Sequence, residues 1–240
     1  MKDVEDLAIP LPMLQKSTFV VRLNRFVGEI TLDGKLYRAH VPSSGRMKEL
    51  LYPGAKVYVS ANATEGGKTS HRIVLAECNG HLVSIDSLLP NRMMRLALEQ
   101  NIFSEFSGYE YIRPEAQYGN SRFDFYLANN TADSKDICYL EVKSVTLVSE
   151  GVALFPDAPS QRATKHLLEL IKAVKAGMRG VVLFCIQRED ANAFRPNDMG
   201  DPVFGEALRQ AATAGVEVLA RECKISPRQV SWGDMIPVYL

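Results

Sequence analysis

At 240 residues the chain can bury the core of one large or two small domains without disulfide or metal staples. With 46% hydrophobic and 23% charged residues it is neither disordered nor fibrous, and no apolar run approaches the roughly 20 residues of a membrane span. Lys plus Arg equals Asp plus Glu at 28 each, so no whole-molecule field draws the protein onto nucleic acid, and any such binding needs a local patch. The acidic start (Asp3, Glu5, Asp6) lacks the basic flank of a signal peptide. Cys78, Cys138, Cys185 and Cys223 form no Cys-x-x-Cys pair, so reduced core thiols in a cytoplasmic protein are expected.

From Thr18 to Asp86 the chain runs in short β-rich segments: Phe19 to Leu23, Phe26 to Leu32, Lys35 to Val41, Lys56 to Ala61, Arg72 to Glu77 and His81 to Ile85. Asp33-Gly34 is a two-residue hairpin signal, because both turn positions tolerate positive φ. A short helix over Arg46 to Leu51, closed by Pro53-Gly54, is predicted between the third and fourth strands, which suggests an OB-type barrel over residues 1–86.

After Leu89-Pro90 the rhythm changes, and residues 87–240 are expected to form a second domain. Asn91 is a candidate cap for a helix reaching Phe103; Tyr109 to Tyr118 and Ser121 to Leu127 follow as strands. A polar hairpin loop from Asn129-Asn130 to Asp136 leads into a strand over Ile137 to Leu147. A helix over Ser160 to Ala176, stopped by Gly177, precedes the apolar strand Gly180 to Gln187 in a predicted βαβ crossover. A helix from Val203 to Ala214 and a strand from Val216 to Arg221 complete an α, β, β, β, α, β, α, β order. The fold class is therefore α/β, α+β overall: a small barrel, then a mixed sheet flanked by helices.

On the strand around Glu141 the two-residue period puts Glu141 and Lys143 on one face and Leu140 and Val142 on the other. On the preceding strand Phe123 and Phe125 should point one way and Arg122 and Asp124 the other, bringing Asp124 within reach of Glu141. Two carboxylates in mid-sheet repel one another and lose hydration unless a cation joins them, and Mg²⁺ (or Mn²⁺) suits such oxygen ligands. Asp124, Glu141 and Lys143 are thus the candidate catalytic residues, the first two as metal ligands and Lys143 as the group that holds or activates the attacking water or offsets charge on the phosphate. A cross-strand ion pair on a solvated polar face fits the same pattern.

Six segments, in order, resemble the signatures of the bacterial and archaeal sugar fermentation stimulation family: Gly45-Arg46-Met47, Leu89-Pro90-Asn91-Arg92, Ser121-Arg122-Phe123-Asp124-Phe125, Glu141 to Leu147, Phe155-Pro156-Asp157-Ala158 and Lys165-His166-Leu167. The resemblance implies an N-terminal OB-fold domain, a C-terminal domain similar to the PD-(D/E)XK nucleases, DNA as the partner and an association with sugar use. It places Asp124, Glu141 and Lys143 on the nuclease-like motif. The alternative it leaves open is a DNA-binding regulator that cuts nothing.

Three departures stand out. Val41-Pro42-Ser43-Ser44 stands where the family usually has Cys-Pro-Asn-Thr, Leu96 stands where relatives commonly carry Glu, for which Glu99 is a weak substitute one turn on, and Ala163 replaces a usual Gly. Arg46, Lys48, Arg122, Arg162 and Lys165 are candidate phosphate contacts, with Asp157 and His166 as auxiliaries; a turn Asp, a solvated basic face and a structural His explain the same residues. In the barrel, Phe19, Phe26, Tyr37 and Tyr58 are either core or base-stacking residues. Cutting a duplex takes one site per strand, so a homodimer is expected of that activity.

Overall fold

A computed structural model describes residues 7–62, 68–129 and 136–240. The acidic start at Asp3 and the centre of the expected loop from Asn130 lie outside the described residues.

Strands β2 (Gln15–Asn24), β3 (Val27–Leu32), β4 (Lys35–His40), β5 (Lys56–Ala61), β6 (His71–Cys78) and β7 (His81–Ser84) form one sheet in the order β4-β3-β2-β5-β6-β7. A parallel pairing of Ala39 with His71 and His40 with Arg72 joins β4 to β6 and closes five of them into an OB barrel. Alternation along each strand sends Phe19, Ile30, Ala39, Val57, Val59 and Ile73 inward, into an apolar core.

The helix expected at Arg46 to Leu51 is absent. Met47 takes φ 46°, in the left-handed region, and the N–H groups of Leu50 and Leu51 both reach the Met47 carbonyl. The result is a single turn, too short to propagate, whose Met47, Leu50 and Leu51 side chains plug the barrel.

Helix α1 (Leu89–Glu99) opens the second region and ends four residues before the expected Phe103. A seven-stranded mixed sheet follows, built from β1 (Ala8–Pro10), β8 (Tyr111–Tyr118), β9 (Ser121–Ala128), β10 (Ile137–Val145), β13 (Arg179–Ile186), β15 (Glu217–Ile225) and β16 (Gln229–Met235). Their order is β1-β16-β15-β13-β10-β9-β8, with β10, β13 and β15 mutually parallel. Helix α2 (Gln161–Lys175) connects β10 to β13, and α3 (Pro202–Thr213) connects β13 to β15. Short strands β11 (Val148–Ser149), β12 (Val152–Phe155) and β14 (Ala193–Pro196) form a small third sheet. β1, β16 and this third sheet escaped the sequence reading. Each is short or polar, and β1 pairs with a partner more than 200 residues away, so no local period reveals it.

The central strands are buried on both faces. Leu140, Val142, Leu183 and Cys185 pack with Met93, Met94 and Leu98 of α1, while Tyr139, Val182, Phe184 and Ile186 pack with α2 and α3. Each fully buried side chain of this size contributes about 1.5–3 kcal/mol, so these two layers hold β10 rigidly.

Barrel and sheet are stitched together. Asp86 forms an ion pair with Arg72 of β6 (3.0 Å) and accepts a hydrogen bond from Arg92 of α1 (2.8 Å), and the Ser84 N–H bonds the Gln187 carbonyl. Ser87 donates through both its N–H and its hydroxyl to the Pro42 carbonyl.

A candidate active site at the break between two strands

The pairing of β9 with β10 runs from Ile137 opposite Ala128 to Leu140 opposite Phe125 and stops there. One more step would set Glu141 against Asp124. At that step the Asp124 side chain replaces the backbone: its Oδ2 accepts the Val142 N–H at 2.7 Å. On the other side of β9, the position opposite Asp124 is Glu115, which adopts φ 55° between the Pro114–Phe125 and Ala116–Phe123 pairs. Strand β9 changes face at this kink. Phe125 packs in the α1-side core, whereas Phe123 packs in the α2-side core against Tyr139 and His166. The expectation that both phenylalanines share a face is therefore corrected, because a two-residue period assumes an unbroken pleat.

Glu141 and Lys143 do share a face. Glu141 is 3% exposed, and its Oε1 accepts from Lys143 Nζ at 2.5 Å and pairs with His166 Nδ1 at 2.6 Å. Its Oε2 is buried and accepts no hydrogen bond among the described residues. Burial pushes the Glu141 carboxyl up, but the Lys143 charge and the His166 contact outweigh it and hold it below its ordinary value. Asp124 goes the other way. Burial first, then the Glu141 charge, push its carboxyl up to about 6, against the Val142 N–H, Lys143 and Asn91. Two neighbouring carboxylates are thus driven apart in proton affinity, one firmly ionised and one poised to take a proton.

The other sequence candidates divide. His166, buried on α2, joins the cluster through Glu141. Arg162 is exposed on the first turn of α2 and lines a cleft of about 470 Å³ together with Lys143 and Asp157. Asp157 is not free to touch a ligand through both oxygens: its Oδ2 accepts the Met47 N–H at 2.8 Å and ties the barrel loop to the sheet. Lys165 is turned to the Asn120 carbonyl (2.6 Å) and Arg122 is paired with Glu115 (2.6 Å), both at the surface. Arg46 and Lys48 are exposed on the barrel loop, outside the cleft lining. Glu99 does not reach the site. It ends α1 in an exposed pair with Arg95 at 2.7 Å, eight residues beyond Asn91, because a helix carries each turn some 5.4 Å further along its axis.

Asn91 was missed as a site residue. It makes no cap, since α1 starts at Leu89 and its N-cap Leu88 offers no side-chain bond; instead Asn91 Nδ2 donates to Asp124 Oδ1 at 2.7 Å. The signal was present in Leu89-Pro90-Asn91-Arg92, where a Pro in the first turn already marks the helix start ahead of Asn91.

Among the barrel aromatics, Phe19 is core at 1% exposure, Tyr37 stacks edge-on against His71, and Tyr58 donates to Glu77. Phe26 is open, at 49%.

The family model described as "SfsA N-terminal OB domain" matches residues 20–85, and that described as "Sugar fermentation stimulation protein RE domain" matches residues 88–229. The chain belongs to the sugar fermentation stimulation protein family. A family member from Desulforamulus reducens is 51% identical over 235 residues, covering 98% of this chain and 96% of its own. Another, from Caldanaerobacter subterraneus subsp. tengcongensis, is 44% identical over 94% of this chain and 96% of its own. The solved structure of the Pyrococcus furiosus member, in complex with Ca²⁺, superposes with TM-score 0.87 at 29% identity, covering 97% of this chain and 98% of that one. Barrel and mixed sheet are therefore the family's architecture. Among the described residues no helix is long and apolar enough to cross a membrane.

Proposed function

We propose that this family member is a divalent-metal-dependent phosphodiesterase acting on DNA, with Asp124 and Glu141 as ligands of Mg²⁺ (or Mn²⁺). The observation that carries this reading is the buried, unpartnered Oε2 of Glu141 beside an Asp124 carboxyl pushed up to about 6. An uncompensated carboxylate oxygen in a dry site is costly, and a hard cation with oxygen preference satisfies it while reversing the repulsion that lifts Asp124. The Ca²⁺ held by the Pyrococcus furiosus relative supports the same class of ligand.

When bound, the cation supplies Lewis-acid polarisation of a phosphoryl oxygen and neutralises the two carboxylates. The protein's own groups do the rest. His166 fixes the Glu141 carboxylate through Oε1 and leaves Oε2 to point elsewhere; Asp124 is held at both oxygens, Oδ1 by Asn91 and Oδ2 by the Val142 N–H, and each carboxylate oxygen keeps a second lone pair. Lys143, held 2.5 Å from Glu141, presents an ammonium to the negative charge that develops on the phosphate. In this reading residues 1–86 are the nucleic-acid-binding barrel domain and 87–240 the hydrolytic domain, with β1 crossing over to the far edge of the larger sheet. Four free cysteines suit work in the reducing cytoplasm, and a duplex substrate calls for a homodimer.

A second reading, a DNA-binding regulator that does not cut, is favoured by one observation. Among the described residues no group of three His, Cys, Asp or Glu side chains is gathered to hold a metal, and Leu96 and Glu99 supply no third carboxylate. Calorimetric titration with Mg²⁺ and Mn²⁺ separates the two, run beside a cleavage time course on the parent, Asp124→Asn, Glu141→Gln and Lys143→Ala. Hydrolysis predicts loss of metal binding in the two carboxylate variants. Lys143→Ala keeps the metal and loses at least about 100-fold in rate. A parent that binds DNA but no metal, and cuts nothing, leaves the regulator.

A further inference from the structure

The cleft of about 470 Å³ beside Lys143 is a seam between the two domains. One wall is barrel: Arg25, Ser43, Ser44 and Gly45. The other includes Lys143, Ser144, Thr146 and Arg162, over an apolar floor of Leu147, Leu154, Phe155 and Pro156.

The barrel wall is built, not loose. The guanidinium of Arg22 donates to four carbonyls, those of Gly45 (2.7 Å), Arg46 (2.7 Å), Arg25 (2.7 Å) and Ser43 (3.1 Å). Asp157 then pins the Met47 N–H from the opposite side. Five donors spread over a rigid fork make Arg suited to organising such a loop. With the seam also closed by the Asp86 pairs and the two Ser87 bonds to Pro42, the walls have a fixed separation.

The chemistry of the lining narrows the ligand. Arg25 and Arg162 are exposed cations, Lys143 is 12% exposed and paired with Glu141, and the single acid of the lining, Asp157, is engaged by Met47. The hydroxyls of Ser43, Ser44 and Thr146 in the lining suit phosphate oxygens, and the apolar floor suits the flat face of a base. The volume falls among pockets of about 300–1,000 Å³ that hold small molecules, whereas a duplex presents a major groove about 12 Å wide by itself. A cleft of this volume suits one unpaired strand, as in enzymes that draw single nucleotides out of a stack.

We propose that this interdomain cleft takes an unpaired nucleic-acid strand, with Arg25 and Arg162 on its phosphates and the strand running toward Lys143. The proposal rests on the phosphodiester reading above, and it narrows the substrate from DNA in general to single strands, frayed ends or flaps.

The test uses the full-length protein in chelator, so that neither metal binding nor hydrolysis enters. A fluorescently labelled single-stranded oligonucleotide and its duplex are titrated by anisotropy at several salt concentrations, for the parent, Arg25→Ala, Arg162→Ala and Arg209→Ala. Arg209, on α3, pairs with Asp198 in the loop before that helix, away from the cleft. The expected result is at least tenfold tighter binding of the single strand by the parent. The salt slope should fall by about 0.7 in each cleft variant and stay put in Arg209→Ala. Duplex binding as tight as single-strand binding, or parent-like slopes in both cleft variants, overturns the proposal. Either result leaves the metal and cleavage measurements untouched, so failure here and failure of the hydrolytic reading are told apart.

Discussion

The barrel and the seven-stranded sheet treat buried charge differently. Among the described residues the barrel's buried ionisable groups are His71, edge-on against Tyr37, and Asp86, at the seam against Arg92 of α1, beside a half-buried Glu49 whose Oε1 has no hydrogen-bond partner. The sheet domain instead buries Glu141, His166, Glu169, Arg188 and Asp201 among its apolar layers. Burying charge is expensive unless it is paired, so a domain that does it repeatedly has either a structural network or a site to maintain. Arg188 and Glu141 represent the two cases. Arg188, 1% exposed, has its needs met: a bidentate pair with Asp190 at 2.5 and 2.6 Å and the Thr146 carbonyl at 3.0 Å. Glu141 keeps one oxygen unmet.

The largest expected effect tests the structural case. Arg188→Met removes a fully buried guanidinium and leaves the Thr146 carbonyl and the partly exposed Asp190 without it, and a loss of about 3 kcal/mol or more is expected in chemical denaturation. Ile30→Val in the barrel core should lose only about 0.5–1.5 kcal/mol. Equal losses would mean that the contrast between the domains has no energetic content.

That contrast also marks where the sequence was legible. The barrel strands and the β10–α2–β13 unit follow local periods, and the Glu141-Val142-Lys143 alternation survives because β10 is flanked by packed neighbours on both faces. Phe123 escaped because the period fails at the Asp124 kink, which depends on a positive φ at Glu115 one strand away. The turn after Met47 escaped for a similar reason: its shape is fixed by Asp157, 110 residues distant. Both are tertiary decisions overriding local propensity. The candidate pair and His166 beside it were therefore nameable from sequence, whereas Asn91 was read as a helix cap and Arg22, which holds the barrel wall of the cleft, was not named.

The second effect concerns pH. In the metal-free protein the Asp124 carboxyl is raised from 3.8 to about 6, so the folded state holds this proton more tightly than the unfolded one. Its contribution to stability is fully present below pH 3.8 and lost as pH rises through 6, a swing of about 3 kcal/mol at most. Asp124→Asn should flatten that part of the stability–pH curve, measured by denaturant titration in chelator. Mg²⁺ added to the parent should flatten it too, since a bound cation favours the ionised carboxylate. An identical curve for parent and variant would mean that Asp124 ionises without strain and that the site lacks the repulsion on which the metal reading depends.

The third effect, about 1–3 kcal/mol, sharpens the seam. Asp86→Asn weakens the bonds from Arg72 and Arg92, whose side chains are part-exposed and so partly screened by solvent. The expected signature is modest destabilisation with faster amide exchange at Ser84 and Ser87, whose N–H groups cross between the domains. Exchange confined to β6, with Ser84 and Ser87 unchanged, would show that Asp86 serves the barrel alone.

The smallest effect on stability falls on Phe26, and it asks whether the barrel has any open binding surface. Phe19, Tyr37 and Tyr58 are taken up by the core, by His71 and by Glu77, which leaves Phe26 exposed at the turn beside Arg25. An exposed aromatic contributes little to folding, so Phe26→Ala should shift stability by less than about 0.5 kcal/mol. If a strand leaving the cleft stacks on this ring, the same change should weaken single-strand binding by about 1–3 kcal/mol and leave the salt slope unaltered, because no phosphate contact is removed. Arg25→Ala, one residue away, should lower the slope. The pair of variants thus separates a base contact from a phosphate contact on adjacent residues. Parent-like affinity in Phe26→Ala would reduce the barrel's contribution to the cations and backbone of its cleft wall.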